Sequence, residues 1–268
     1  MTDARDLQYL KIAFALGRRG EGQTWPNPSV GCVIEKHGRI LGRGWTQPGG
    51  RPHAEVVALA QAGETARGAT AYVTLEPCSH HGQTPPCTDA LIAAGIARVV
   101  APLRDVDPRV DGAGFASLRA EGVEVLSGVS EDEARRAHAG FFMKATQRRP
   151  MVTLKLASSL DGRIATGTGE SQWITGPMAR ARVHMMRARH DAVLVGGGTA
   201  RLDDPTLTQR GLGIAHQPVR IIASRRLDIP LESNLVRSRD KSPIWICHGP
   251  DAELDARTAW SHLGIELI

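Results

Sequence analysis

Three residues in the first half of the chain have the types and order of metal ligands. They are His53, Cys78 and Cys87, and Cys87 follows nine residues after Cys78. Glu55 stands two residues after His53. One imidazole and two thiolates form a soft donor set that suits zinc, and a catalytic zinc with three protein ligands keeps its fourth position for water. Zinc lowers the pKa of such a water toward ~7. Glu55 can take the proton of that water and deliver it to a leaving amine.

Two predicted helices position these side chains. The stretch 53–62 has helical character and ends at a glycine, so His53 and Glu55 fall in its first turn. A second predicted helix begins at Cys87, and Cys78 lies in the loop after an apolar strand. Cysteines at helix N-termini ionise more easily, which favours metal binding. The sequence therefore predicts a pocket at which two helix N-termini meet.

In the first half of the chain predicted strands alternate with predicted helices, which indicates an α/β fold. The predicted helices are 6–19, 53–62, 87–94, 114–121, 130–146 and 177–189. The predicted strands are 30–35, 39–45, 69–75, 98–102, 123–126, 151–157, 192–195, 219–223, 244–247 and 265–268. A linker-like stretch follows the helix that ends at 146, and the pattern then restarts. Two domains are predicted, 1–147 and 148–268.

The composition is that of a globular protein and excludes several other classes. With 41% hydrophobic and 23% charged residues, the chain is neither disordered nor collagen-like. No stretch approaches the length of a membrane span and the start lacks a signal-peptide core, which predicts a cytoplasmic protein. The net charge of +5 arises mainly in 149–268, which has 16 basic and 12 acidic side chains. Since only 4% of residues are aromatic, we expect no nucleic-acid partner.

The order of these residues matches the zinc deaminase signature, His-x-Glu followed by Pro-Cys and a second Cys. Here eight residues separate Cys78 from Cys87, and the loop ends in Gly-Gln-Thr-Pro-Pro-Cys. This loop and the run 26–31, Pro-Asn-Pro-Ser-Val-Gly, resemble the bifunctional deaminase/reductases of riboflavin biosynthesis. The segment 105–114 resembles the part of that family that closes the deaminase site.

The resemblance implies a cytidine-deaminase-like, three-layer α/β/α fold for the first domain. It implies zinc on the His and two Cys named above, with the adjacent glutamate as the catalytic acid and base. Asn27 is implied to contact the pyrimidine ring of the substrate, and we expect His80 to line the substrate pocket. Two positions depart from the family pattern: Gln83 stands where a basic residue is expected, and Asp107 where Asn is common.

The second half is similar to the reductase domain of the same family, a dihydrofolate-reductase-like α/β fold that uses NADPH. The matching stretches are 154–163, 169–175 and 198–208. The nucleotide contacts implied by the resemblance are Ala157, Trp173, Thr199, Asp203 and Ser224. The implied substrate contacts are Ser171, Arg187, Leu207 and Arg210. The family's closing glycine-rich loop is not found before residue 268, so we expect this domain to be incomplete at its C-terminus.

The expected function is deamination of 2,5-diamino-6-(5-phosphoribosylamino)pyrimidin-4(3H)-one, followed by NADPH-dependent reduction of its ribosyl side chain to ribityl. The expected partner is this small molecule, and the resemblance implies a homo-oligomer. Three alternatives stay open on the sequence. The chain could be another zinc-dependent nucleoside or base deaminase. It could be a non-catalytic zinc-binding module with a degenerate reductase half. The zinc could also be structural, with His80 or His81 as a fourth ligand.

Overall fold

The computed structural model describes residues 4–268, which divide into two compact units. The first unit ends at Thr153 and the second begins at Leu154. Within residues 4–268, every helix is too short or too polar to span a lipid bilayer.

The first unit contains a five-stranded mixed sheet and six α-helices among its described residues. Its helices are α1 (Ala4–Gly17), α2 (Ala54–Ala62), α3 (Cys87–Ala93), α4 (Ala113–Ala120), α5 (Glu131–Ala137) and α6 (Ala139–Gln147). Its strands are β1 (Gly31–Lys36), β2 (Arg39–Trp45), β3 (Thr70–Val73), β4 (Arg98–Val100) and β5 (Glu124–Leu126). The strand order is β2-β1-β3-β4-β5, antiparallel from β2 to β3 and parallel from β3 to β5.

The register of the β1–β2 hairpin shows that helices cover both faces of this sheet. A Cβ built on Gly31 of β1 would lie 1.8 Å from the Ala13 carbonyl oxygen of α1. A Cβ built on Gly44 of β2 would lie 2.1 Å from the Ala54 carbonyl oxygen of α2. Gly44 pairs with Cys32, so it points to the face opposite that of Gly31. The unit is therefore a three-layer α/β/α fold, with α2 pressed directly onto β2.

The second unit contains a fully parallel sheet in the order β6-β7-β8-β9. Its helices are α7 (Pro177–Ala188), α8 (Gly197–Leu202), α9 (Asn234–Arg237) and α10 (Leu254–His262). Its strands are β6 (Ala192–Gly196), β7 (Val219–Ala223), β8 (Ile244–Cys247) and β9 (Glu266–Leu267). Ile222, Ile246 and Trp260 are almost fully buried and form the centre of its core. The parallel order explains why a helix connects each successive pair of strands.

Two predicted elements differ from the structure. The long helix predicted over 130–146 is broken at His138. This residue is 2% exposed and lies against Thr74, which directly follows β3. The imidazole contacts both the carbonyl and the hydroxyl oxygen of Thr74, at 3.1 and 3.2 Å. This inward contact turns one helix into α5 and α6.

The predicted strand at 151–157 is wrong. Residues 148–176 form no helix or strand. Val152, Leu154 and Leu156 are 77%, 77% and 71% exposed. The stretch alternates apolar and polar residues, but a strand forms only where a neighbouring strand satisfies its backbone groups. Among the described residues, no strand of either sheet pairs with it.

Candidate functional site

The predicted metal ligands converge at one point of the first unit. His53 is the N-cap of α2, Cys78 lies in the loop after β3, and Cys87 is the first residue of α3. His53 Nδ1 lies 3.2 Å from Cys87 Sγ and 3.6 Å from Cys78 Sγ. The three donor atoms all lie within 4.8 Å of one another. The structure thus brings together the three residues that the spacing singled out.

The two sulfur atoms are prepared for metal binding to different extents. The Cys87 thiol donates to Cys78 and lowers the pKa of Cys78 to about 4, and the Cys87 backbone N–H, 3.3 Å from Cys78 Sγ, acts in the same direction. The pKa of Cys87 is raised, first by this shared hydrogen bond and then by burial. One thiolate is therefore formed at neutral pH, and a metal ion displaces the remaining proton.

Glu55 lies in the first turn of α2, beside the metal ligands, but it is not itself a member of the donor cluster. Its side chain is 3% exposed, and burial raises the pKa of its carboxyl group. Its Oε2 atom is buried and has no hydrogen-bond partner in the described part of the chain. A buried carboxylate oxygen without a partner is costly unless something else occupies the adjacent space. This places an unused proton acceptor beside the three donors.

The residues present fit zinc. Tetrahedral bonds of about 2.0–2.1 Å to nitrogen and 2.3 Å to sulfur place such ligand atoms roughly 3.6 Å apart, close to the observed separations. Within residues 4–268 the cluster has three donors, and neither His80 nor His81 belongs to it. A three-donor set with an adjacent non-ligating glutamate has the form of a catalytic site rather than a closed structural one.

A cavity of about 600 Å³ opens onto this cluster and is lined by both implied substrate contacts. Asn27 donates through Nδ2 to the Gly50 carbonyl oxygen, at 2.9 Å, and lies 3.3 Å from His53 Nε2. His80 presents a buried Nδ1 atom without a partner among the described residues. Both side chains are thus placed to contact a bound molecule, and Asn27 also orients the ligand imidazole.

The sequence interpretation missed Glu76, the residue that closes one side of this cavity. Its buried carboxylate accepts three backbone N–H groups: Oε2 from Asp105 and Gly112, and Oε1 from Phe115, each at 3.0 Å. This single side chain therefore holds the segment 105–115 against the loop of Cys78. The only signal in the sequence was an acidic residue directly after an apolar strand.

Two further carboxylates line the cavity, and their pKa values are shifted in opposite directions. Burial raises the pKa of Asp105 to about 6. The Arg109 guanidinium holds the pKa of Asp107 below its usual value, with Nε 2.9 Å from Oδ1. The departure at Asp107 is thus accompanied by a cation two residues away, and the pair is neutral as a whole.

Comparison with known proteins agrees with this geometry and extends it to the second unit. Residues 3–102 match the family model "Cytidine and deoxycytidylate deaminase zinc-binding region", and residues 150–260 match "RibD C-terminal domain". The riboflavin biosynthesis protein RibD of Aquifex aeolicus is 49% identical over 241 residues, which are 90% of this chain and 68% of that protein. The chain belongs to the RibD family. Members of this family are bifunctional deaminase/reductases of riboflavin biosynthesis, and zinc and NADPH are their cofactors.

Other RibD proteins give the same picture. RibD of Escherichia coli is 49% identical over 240 residues, covering 90% of this chain and 65% of that protein. Among solved structures, Acinetobacter baumannii RibD matches with a TM-score of 0.87 and 41% identity, covering 98% of this chain and 73% of that one. A Thermotoga maritima protein described as a diaminohydroxyphosphoribosylaminopyrimidine deaminase/5-amino-6-(5-phosphoribosylamino)uracil reductase matches with a TM-score of 0.86 and 39% identity, with the same coverage. The chain thus spans about two thirds of the length of its relatives.

The implied nucleotide contacts of the RibD reductase domain are partly assembled in the second unit. Thr199 lies in α8 just after β6, and Ser224 directly follows β7. A Cβ built on Gly197 would lie 3.0 Å from Ser224 Oγ, so the carboxyl ends of the two strands adjoin. Gly196 and Gly198 face open space. Thr199 is exposed, whereas Ser224 is buried and its hydroxyl group donates to Asp228 at 2.9 Å. A glycine cradle at the carboxyl ends of parallel strands fits a dinucleotide phosphate.

The other implied RibD reductase residues fall into two groups. Arg187 donates to the Thr208 carbonyl oxygen at 3.0 Å, next to buried Leu207. Burial, together with the charge of Arg210, lowers the pKa of Arg187, so two guanidinium groups share this region. By contrast, Ala157, Ser171 and Trp173 lie in the segment 148–176, which has no regular structure. Asp203 is exposed directly after α8.

Proposed function

We propose that the first unit deaminates 2,5-diamino-6-(5-phosphoribosylamino)pyrimidin-4(3H)-one by hydrolysis, with His53, Cys78 and Cys87 as zinc ligands and Glu55 as acid and base. The observation that supports this most directly is the buried Oε2 atom of Glu55, which has no protein partner among the described residues and lies beside a three-donor cluster. In a folded protein such an atom calls for a partner that arrives from outside the chain. Water and a leaving amine meet that requirement.

The reaction exchanges a carbon–nitrogen bond for a carbon–oxygen bond, and two proton transfers accompany it. Glu55 accepts a proton from the attacking water at Oε2 and delivers it to the departing amine, which leaves as ammonia. Burial raises the pKa of Glu55 and so brings it toward the operating pH, at which one carboxyl group serves as base and then as acid. Asn27 and His80 line the cavity as contacts for the pyrimidine.

Zinc, when bound, supplies the Lewis acid that makes water nucleophilic at neutral pH. The chain's own contribution is the rigid placement of the donors. His53 is fixed because α2 packs on β2 at Gly44, and its Nε2 atom is contacted by Asn27. Such outer contacts orient a ligating imidazole and are part of a functional metal site.

For the second unit we propose reduction of the ribosyl side chain of the deaminated product. NADPH, when bound, supplies the hydride. Thr199 and Ser224 would hold the nucleotide, while Arg187 and Arg210 would hold the phosphate of the substrate. Two guanidinium groups without a carboxylate partner among residues 4–268 are supporting evidence, because arginine binds phosphate in a bidentate manner.

The deaminase proposal is tested with Glu55→Gln. The zinc-loaded full chain is assayed for ammonia release, with zinc content measured on the same samples. Removing a general acid and base is expected to slow turnover by about 10²–10⁴-fold while zinc remains bound. Exposed Glu64 provides the matched control, and Glu64→Gln should retain wild-type activity. Unchanged ammonia release by Glu55→Gln would contradict the assigned role.

Three further properties belong to this proposal. The domains are placed at 1–147 and 148–268, the chain is a homo-oligomer, and it acts in the cytoplasm. Light scattering of the purified protein tests the second of these, since a molecular mass of 28.8 kDa would indicate a monomer.

A further inference from the structure

Arg51 is a cavity-lining cation to which the mechanism gives no role. It is half-buried and stands two residues before His53. Its Nη1 atom donates a hydrogen bond to the hydroxyl group of Thr84, in the loop between the ligand cysteines. A Cβ built on Gly82 would lie 3.3 Å from Arg51 Nη2. The guanidinium group is therefore held against this loop and beside the metal site.

Two other cationic side chains line the cavity, and both have protein partners. Arg109 is bound to the carboxylate of Asp107, with Nε at 2.9 and 3.1 Å from its two oxygens. Lys144 donates to the Pro26 carbonyl oxygen at 3.2 Å. Arg51 forms no ion pair with a carboxylate anywhere in residues 4–268. Among the two arginines of the cavity, it is the one whose charge is not neutralised by a carboxylate.

The loop itself adds no lysine or arginine. Residues 79–86 include neutral Gln83, which also lines the cavity. A guanidinium group has five N–H donors, and the hydrogen bond to Thr84 occupies one of them. The remaining donors form a planar fork that matches the oxygens of a phosphate group.

Building on the proposed function, we propose that Arg51 binds the 5′-phosphate of the pyrimidine substrate and makes the deaminase site selective for the phosphorylated form. The contact to Thr84 fixes the guanidinium group before the substrate arrives, so little side-chain freedom is lost on binding. Arg51 is then a specificity-determining residue that takes no part in proton transfer.

The test uses the zinc-loaded full chain and five proteins: wild type, Arg51→Gln, Arg51→Lys, Lys144→Gln and the control Arg39→Gln. The Arg39 side chain is exposed on β2 outside the cavity. Ammonia release is measured with the phosphorylated substrate and with its dephosphorylated counterpart. Arg51→Gln is expected to raise KM for the phosphorylated substrate about tenfold or more, because a charge-assisted contact is lost. Its kcat, and its KM for the dephosphorylated substrate, should stay near wild type, and Arg51→Lys should recover part of the loss.

Binding of inorganic phosphate, measured by calorimetry on the same proteins, provides a readout independent of turnover. Wild type and Arg39→Gln should bind phosphate, and Arg51→Gln should not. If wild type releases no ammonia, the proposed deaminase function fails, whereas phosphate binding still decides the role of Arg51. If Arg51→Gln does not fold, Arg51→Met serves as the neutral variant.

Three results would overturn the inference. Equal losses on both substrates would mean that Arg51 only shapes the loop. No change in either KM or phosphate binding would mean that it does not contact the ligand. A selective loss for Lys144→Gln instead of Arg51→Gln would assign the phosphate to the other cation.

Discussion

Replacing Glu76 with glutamine should destabilise the first unit far more than so conservative a change suggests. The buried carboxylate accepts three backbone N–H groups, two at Oε2 and one at Oε1. A glutamine amide keeps one oxygen, so its NH₂ group must face either one or two of these donors. Each lost hydrogen bond to a charged acceptor is worth about 1.5–3 kcal/mol, which gives a loss of roughly 2–6 kcal/mol in the free energy of unfolding. That is a large part of the 5–15 kcal/mol by which a typical domain is stable.

Urea denaturation of the zinc-loaded chain, followed by circular dichroism, measures this loss. Glu121→Gln is the matched control, because Glu121 is exposed at the end of α4 and its side chain forms no hydrogen bond among residues 4–268. The control should stay within about 0.5 kcal/mol of wild type. If Glu76→Gln also stays within that margin, the carboxylate does not hold the segment 105–115, and the account of how the cavity is closed is wrong.

Two other predictions concern buried basic side chains. Burial lowers the pKa of His138 to about 4, below the value near 6.5 expected in the unfolded chain, so the unfolded state binds more protons between these values. The contribution of His138 to stability should therefore be complete above pH 6.5 and fall by up to about 3 kcal/mol toward pH 4. Asp105, with its pKa raised to about 6, acts in the opposite direction, so the stability of wild type is measured relative to that of His138→Gln in urea titrations across this range, and this difference should fall by that amount. Fully buried Arg220 donates to the carbonyl oxygens of Ser238 and Ser242 at 2.9 and 2.5 Å. Arg220→Met should thus destabilise the second unit by about 3 kcal/mol while the zinc content stays unchanged, and an unaltered unfolding curve would disprove this role.

The sequence was most informative where chemistry and local structure coincide. The ligand residue His53 caps α2, and the glycine after residue 62 ends the same helix, so a local pattern predicted both the helix and the position of the ligand. The strands predicted at 30–35 and 39–45 form the β1–β2 hairpin, and the turn residues between them, His37 and Gly38, have φ values of 53° and 81°. Such turn signals depend on adjacent residues only.

Features that depend on distant contacts could not be predicted in this way. The break at His138 arises because its imidazole reaches Thr74, 64 residues earlier in the chain. Glu76 acts on backbone groups 29 to 39 residues away. The alternation at 151–157 has the period of a strand, but no partner strand is present among the described residues. Periodicity reports which side chains could share a face, whereas pairing is decided by the rest of the fold.

The position of Glu76 gives the first unit a thermodynamic linkage. Glu76 binds the segment 105–115, and the ligand Cys78 lies two residues further along the same loop. A Cβ built on Gly114 would lie 2.1 Å from the Pro77 carbonyl oxygen, so the segment and the ligand loop touch directly. Ordering one of them therefore favours ordering of the other. Such a linkage is reciprocal. If a molecule that holds the segment over the cavity tightens metal binding by some factor, the metal tightens the binding of that molecule by the same factor.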